Sequence, residues 1–137
     1  MVARDVLVEE LVAGRSDALR DAAANSLIKI GALDMALRLS SHTDPEVRWR
    51  IAFSLREADQ ASLRTFQAGL RQQLDDTEAT VRIAAAETLA QFQVEREQFI
   101  ATAIESLASR DRGVRMRAKQ LLVSTKPLEE QHLEKLR

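Results

Sequence analysis

The sequence DPEVRWRIAFSL, residues 44–55, decides the fold class because it joins a helix start to a buried stripe. Asp44 can cap exposed backbone amides, Pro45 suits the first helical position, and Glu46 favours the positive end of the helix dipole. Apolar side chains follow at helical spacing, at Val47, Ile51 and Leu55. The stretch therefore predicts an amphipathic α-helix that begins at residue 45.

Versions of this pattern recur along the chain. Three other segments align with it without gaps, namely LRDAAANSL from Leu19, VRIAAAETL from Val81 and VRMRAKQLL from Val114. Their successive starts are 28, 34 and 33 residues apart, which is the size of one helix pair with its turns. Each copy is expected to bury its first, fifth and ninth positions, the ninth being Leu27, Leu55, Leu89 and Leu122. The chain is therefore interpreted as a repeat protein.

The remaining segments also carry helical periodicity, and Ala, Leu, Arg, Glu and Gln dominate the composition. We predict about nine helices, no strand and one domain over residues 1–137. Gly69 is expected to let a neighbouring helix approach closely. The predicted helix pairs cover approximately residues 2–30, 32–57, 59–92 and 95–123, and Pro127 is expected to start a final capping helix over 127–137.

Asp44-Pro45-Glu46-Val47-Arg48, followed by Ile51, Ala52 and Leu55, resembles the HEAT-repeat family, in particular its short bacterial forms related to the phycobilisome-lyase-type repeat. Weaker echoes stand at Leu19-Arg20, Val81-Arg82 and Val114-Arg115. The resemblance covers about residues 18–123. It implies an all-α fold, a right-handed α-solenoid of four to five HEAT-like antiparallel helix pairs. In such solenoids the second helix of each pair lines the concave side.

The resemblance also implies a role for the arginine at the second position of each copy. In this family that basic residue ties neighbouring repeats together through an acidic residue in a turn. The arginines here are Arg20, Arg48, Arg82 and Arg115, and the candidate acidic partners are Asp17, Asp44, Asp76 and Asp111. An inter-repeat structural ladder is thus the favoured interpretation, with ligand contact as the alternative.

Trp49 and Phe53 share a helix face that is offset from the buried stripe. Ile83 and Met116 occupy the position of Trp49 in later copies, and arginines flank this column. If the second helices line a concave side, the column can anchor a partner helix or peptide. We therefore predict a protein-interaction or scaffold module whose partner-binding residues are Trp49, Arg50, Phe53, Ile83, Met116 and Arg117. The alternative is that the Trp49 column packs between adjacent repeats.

The segment 109–126 is strongly basic, although the whole chain has a net charge of only −1. It holds six Lys or Arg residues and one Asp, a net charge of +5, whereas residues 1–108 have a net charge of −5. Such a segment could follow a phosphate backbone, so nucleic-acid binding is the alternative function. The segment lacks interleaved aromatic residues, and the same charge could attract a partly acidic protein.

Nothing in the sequence favours an enzyme. The chain has no cysteine, and His42 and His132 have no second ligand at metal-binding spacing. No glycine-rich phosphate loop is present. We therefore predict a non-enzyme without metal or cofactor. A regulatory or lyase-type subunit is a third function, which rests on the family resemblance alone.

The amino-terminal segment predicts location and assembly. Acidic residues interrupt its apolar stretch, and no apolar run in the chain is long enough to cross a bilayer. We therefore expect a soluble cytoplasmic protein with no membrane contact.

The first helix has apolar residues on more than one face, at Val2, Val6, Val8, Leu11 and Val12. A homo-oligomer through this helix, or a longer repeat array, would cover them.

Overall fold

α-Helices make up most of the chain. The computed structural model describes the backbone of residues 3–136 and the side chains of residues 3–125. The structure is 79% helical and has no strand among the described residues, so the predicted all-α class is confirmed. The eight α-helices are α1 (Ala3–Ala13), α2 (Asp17–Lys29), α3 (Leu33–Leu39), α4 (Pro45–Ser54), α5 (Leu63–Gln73), α6 (Ala79–Phe92), α7 (Arg96–Ser106) and α8 (Arg112–Leu136).

Several helix starts are fixed by local capping chemistry, as the sequence predicts. The Asp44 carboxylate accepts a hydrogen bond from the backbone N–H of Glu46 at 2.9 Å, and Pro45 is the first residue of α4. Asp111 accepts one from the backbone N–H of Gly113 at 2.8 Å, directly before α8. These side chains satisfy amides that have no acceptor inside the helix.

The connection between α4 and α5 is less regular than predicted. Residues Leu55–Glu57 and Gln60–Ser62 form short 3₁₀ turns instead of extending the neighbouring α-helices. Asp59 accepts hydrogen bonds from the Ser62 hydroxyl at 2.7 Å and from its backbone N–H at 2.8 Å. These hydrogen bonds favour the carboxylate and lower the pKa of Asp59.

The prediction of a separate final helix over 127–137 is wrong, because α8 runs without a break from Arg112 to Leu136. Pro127 lies inside it. Proline lacks an N–H, so the Val123 carbonyl receives no helical hydrogen bond from residue 127. Proline is a strong but local helix breaker, and here the helix continues on both sides of it. The side chains predicted to form the cap lie outside the described range.

Helices α2, α4, α6 and α8 pack against one another in sequence order, and each also packs against the odd-numbered helix before it. Their facing sides hold the predicted stripe: Leu27, Leu55 and Leu89 are buried, as are Val47, Val81 and Val114. Leu122 is only partly buried. Leu19 is 51% exposed, contrary to prediction, because α2 is at the end of this row and no described helix covers its outer side.

Most of the described apolar surface of α1 is covered by the chain itself. Leu11 is fully buried, Val8 and Val12 pack against the core, and Val6 remains exposed. Val2 lies outside the described residues. A homo-oligomer through α1 stays a prediction. None of the helices the structure describes is both long and apolar enough to span a membrane.

Gly69 does not mediate a close helix approach, contrary to prediction. A Cβ atom built at this position meets no heavy atom within 4 Å outside the local helix backbone. Gly69 lies inside α5, where glycine costs conformational entropy. We therefore expect Gly69→Ala to raise the free energy of unfolding by about 0.5–1 kcal/mol, measured by urea denaturation.

Gly31→Ala is the matched control for this glycine substitution. Gly31 also has open space around its Cβ position, but its backbone has φ of +80°, which side chains with a Cβ rarely adopt. Alanine should therefore destabilise the protein here by about 1 kcal/mol. Equal effects of the two substitutions would contradict the explanation.

Candidate functional site

Arg48 joins the start of α4 to the turn before α6. Its Nε and Nη2 atoms donate to the two carboxylate oxygens of Asp76, each at 3.0 Å. Its Nη1 atom donates to the backbone carbonyls of His42 and Thr43 at 2.9 and 3.0 Å. Both side chains of the ion pair are largely buried, so this bidentate contact is strong and directional.

Arg20 makes the equivalent link one step earlier in the chain, with weaker geometry. Its Nη2 atom lies 3.6 Å from the Asp44 carboxylate, and its Nε atom donates to the Leu11 carbonyl at 2.8 Å. Arg20 and Arg48 therefore each bind the acidic residue predicted to precede the next even-numbered helix.

Arg82 and Asp111, the candidate acid before the next even-numbered helix, form no ion pair in the described residues. Arg82 instead donates through Nη1 to the Asp76 carbonyl at 2.7 Å. Arg115 donates through Nη1 to the backbone carbonyls of Ser109 and Arg110, in the turn before α8, at 2.8 and 3.0 Å. Arg48 makes the same kind of contact, so the feature common to these three arginines is closure of the preceding turn.

Arg50 was predicted to bind a partner, and the structure instead makes it a buried ionic centre that is 3% exposed. Its Nε donates to Asp21 at 2.7 Å and its Nη2 to Asp17 at 3.0 Å, both on α2. Its Nη1 donates to the Glu46 side chain at 2.8 Å and backbone carbonyl at 3.1 Å. All three guanidinium nitrogens are satisfied, so Arg50 fixes α2 against α4.

A groove runs across the exposed side of the even-numbered helices. It consists of two depressions of about 580 and 550 Å³ that share four lining residues, Arg56, Glu87, Arg117 and Gln120. The first depression, between α2 and α4, is also lined by Asp21, Asn25, Trp49, Arg50, Phe53 and Ser54. The second, between α6, α7 and α8, is also lined by Ala90, Gln93, Arg96, Phe99, Leu121 and Ser124.

Trp49 and Phe53 form the aromatic part of the first depression. Their ring centroids are 6.5 Å apart in an edge-to-face arrangement, and the Trp49 Nε1 atom donates to the Glu46 carboxylate at 2.8 Å. Arg117 lies 5.8 Å from the Trp49 centroid and 5.1 Å from that of Phe53. Arg56 lies 3.6 Å from the Phe53 centroid. Cation–π contacts therefore hold this surface together.

The other members of the predicted Trp49 column do not belong to the groove. Ile83 is fully buried in the core, so its assignment as a partner-binding residue is wrong. It lies on α6, which has α4 on one side and α8 on the other. Met116 is 52% exposed, but it lines neither depression. Equivalent sequence positions thus have different surroundings because their neighbours differ.

The groove contains two arginines that the sequence did not single out. Arg117 pairs with Glu87 and Arg50 with its three carboxylates. Within the described part of the chain, Arg56 and Arg96 have no carboxylate within ion-pair distance. Both are partly buried in the wall of the second depression. No short sequence motif marks these two residues, because Arg56 lies in a 3₁₀ turn and Arg96 is the first residue of α7.

The basic segment 109–126 does not present its charges as one surface. Arg115 closes a turn and Arg117 pairs with Glu87, which leaves Arg110, Arg112 and Lys119 as the exposed described cations. The side chain of Lys126 lies outside the described range. The charge available to a ligand here is therefore smaller than the composition of the segment indicates.

The groove offers aromatic rings, hydrogen-bonding groups and charged side chains. His42, which is remote from it, uses Nδ1 to accept the backbone N–H of Asp44 at 3.0 Å. The described residues contain no cluster of three or more side chains suited to a metal ion.

No protein-family model matches the chain, and no curated protein matches it in sequence.

Proposed function

We propose that the chain is a protein-interaction module that binds a segment of a partner protein in the groove across α2, α4, α6 and α8. The observation that carries the proposal is that this groove is continuous and contains Trp49 beside Phe53. Tryptophan and arginine are the residues that most often dominate binding energy at protein interfaces. Here Arg56 and Arg117 flank the two rings.

The proposed architecture is a right-handed α-solenoid of HEAT-like helix pairs, with the even-numbered helices on its concave side. Two observations support it. The even-numbered helices pack in sequence order, and each packs against its preceding odd-numbered helix. Arg20 and Arg48 bind Asp44 and Asp76 respectively, as the resemblance to the HEAT-repeat family implies. A solenoid of this kind presents an extended binding surface.

The groove is held in shape by contacts between helices. Arg50 fixes α2 to α4, Arg48 fixes α4 to the turn before α6, and Arg117 fixes α8 to α6. A surface that is ordered before binding loses less entropy when a partner docks. The groove is also elongated over four helices, which suits a peptide or helix better than a compact small molecule.

Nucleic-acid binding through residues 109–126 is a weaker alternative. Arg110, Arg112 and Lys119 are exposed, but Arg115 and Arg117 are engaged within the protein. Among the described side chains of this segment, few free cations remain to neutralise successive phosphates.

The proposed function can be tested with a phage-displayed library of random peptides selected on the purified protein. We expect enriched peptides whose affinity falls at least roughly tenfold, about 1.4 kcal/mol, in Trp49→Ala, because the substitution removes the largest aromatic surface of the groove. Affinities would be measured by isothermal titration calorimetry.

Ile104→Ala is the matched control, since Ile104 is 55% exposed on α7 and lines neither depression of the groove. This control should leave peptide affinity unchanged. Circular dichroism should show that both variants keep the helicity and melting temperature of the unmodified protein. A library that yields no peptide sensitive to Trp49→Ala would refute groove binding.

A further inference from the structure

We infer that the groove is specific for an acidic segment of a partner protein, one that places an Asp or Glu carboxylate between Arg56 and Arg96 and an apolar side chain beside it. This inference rests on the proposed function and names the chemistry of the partner. The second depression, of about 550 Å³, is the part of the groove concerned.

Charge complementarity is the first support. The other two arginines of the groove already have carboxylate partners, Arg50 with Asp17, Asp21 and Glu46, and Arg117 with Glu87. Among the described residues, Arg56 and Arg96 have none. Within the described part of the chain, the second depression therefore carries two partly buried guanidinium groups that lack a carboxylate partner.

Arg56 is held in place by the backbone carbonyl and the ring of Phe53. Its Nε atom donates to the Phe53 carbonyl at 3.1 Å, and its guanidinium stacks 3.6 Å from the centroid of the Phe53 ring. Its two Nη atoms make no hydrogen bond to the described residues. A guanidinium that is fixed by stacking keeps its remaining donors oriented for a planar carboxylate.

The turn before Arg96 directs the neighbouring acid away from it. The acidic neighbour Glu95 is directed to α5, where its carboxylate accepts from Gln67 Nε2 at 3.1 Å and lies 3.7 Å from Arg71 Nε. Glu95 has φ of 56° and Gln93 has φ of 58°, a left-handed backbone that non-glycine residues adopt at a cost. This turn places Gln93 and Arg96 together in the wall of the depression.

The apolar lining explains why a purely ionic ligand would fit less well. Phe99 and Leu121 are nearly buried and Ala90 is partly buried in the wall of the same depression. An apolar side chain beside the carboxylate would pack against this wall and exclude water, which strengthens the ion pair. Gln93, Gln120 and Ser124 can hydrogen-bond the backbone of the segment.

A nucleic acid is disfavoured as the occupant. Asp21 lines the first depression and belongs to the Arg50 centre, where three carboxylates surround one guanidinium. This excess negative charge would repel a continuous row of phosphates. A peptide carries acidic residues only at chosen positions, so it can meet Arg56 and Arg96 and avoid the acidic Arg50 centre.

The test uses the peptides selected on the full chain from the random display library. Enriched sequences should share an Asp or Glu next to an apolar residue, and changing that acid to Gln or Lys should abolish binding. The double variant Arg56→Gln/Arg96→Gln should lower affinity roughly tenfold, measured by fluorescence anisotropy of the labelled peptide. Affinity should also fall with increasing salt.

Arg38→Gln/Arg64→Gln is the matched control, because it removes the same charge from exposed arginines of α3 and α5 that do not line the groove. Its affinity should equal that of the unmodified protein. Peptides that depend on Trp49 but contain no acidic residue would overturn the acidic specificity and leave the proposed function intact. Groove-dependent binding of a single-stranded oligonucleotide that displaces the selected peptides would also overturn it. A selection without any Trp49-dependent peptide would remove the proposed function itself.

Discussion

Ile83→Ala is expected to lower the free energy of unfolding by about 3 kcal/mol, the largest effect of any substitution considered for this protein. Ile83 is fully buried on α6, which packs against both α4 and α8. Removing three methyl or methylene groups there forfeits their transfer from water and leaves a cavity that packed helices only partly close. Urea denaturation followed by circular dichroism gives the measurement.

Met116→Ala is the matched control, since Met116 occupies the same position of the repeat in α8 and is 52% exposed. Its substitution should change the free energy of unfolding by less than about 0.5 kcal/mol. Similar losses at the two positions would mean that Ile83 is not in the core.

Arg50→Gln should cost about 2–3 kcal/mol of unfolding free energy. The substitution removes a buried guanidinium that binds Asp17, Asp21 and Glu46, and it leaves these three acids close together. Breaking a fully buried ion pair costs about 3–5 kcal/mol. The carboxylates here are 50–89% exposed and can regain water, so the expected loss is smaller.

Arg117→Gln provides the comparison, because Arg117 occupies the same repeat position in α8. It pairs with Glu87 alone, and its side chain is 27% exposed. We expect its loss to be about 1 kcal/mol, measured under the same denaturation conditions. If Arg50→Gln were no more destabilising than Arg117→Gln, the buried centre would not be what fixes α2 against α4.

The sequence was sufficient for features that depend on near neighbours in the chain. Asp44, Pro45 and Asp111 mark helix starts because a cap acts within its own first turn. The leucines at the ninth repeat position are largely buried because helical periodicity places them on one face. Pro127 shows the limit of such local signals, since α8 continues through it.

Features that depend on which helix lies opposite could not be derived in the same way. The repeat alignment places Ile83 and Met116 in one column. Ile83 lies on α6, which packs between α4 and α8, whereas Met116 lies on α8, which packs against α6 and α7. Arg50 meets acids about thirty residues earlier, a pairing that only helix packing creates. Arg56 and Arg96 lack a carboxylate partner among the described residues because nearby acids are directed elsewhere, which the periodicity of the sequence does not reveal.

Trp49 is the only tryptophan in the chain, and its ring stands in the wall of the groove. Indole emission depends on the water and charges around the ring, and here the Glu46 carboxylate and the Arg50 and Arg117 guanidinium groups surround it. The protein therefore carries a single intrinsic optical reporter, placed where a partner would dock. Occupancy of the groove can be followed in unlabelled protein by the light that this one side chain emits.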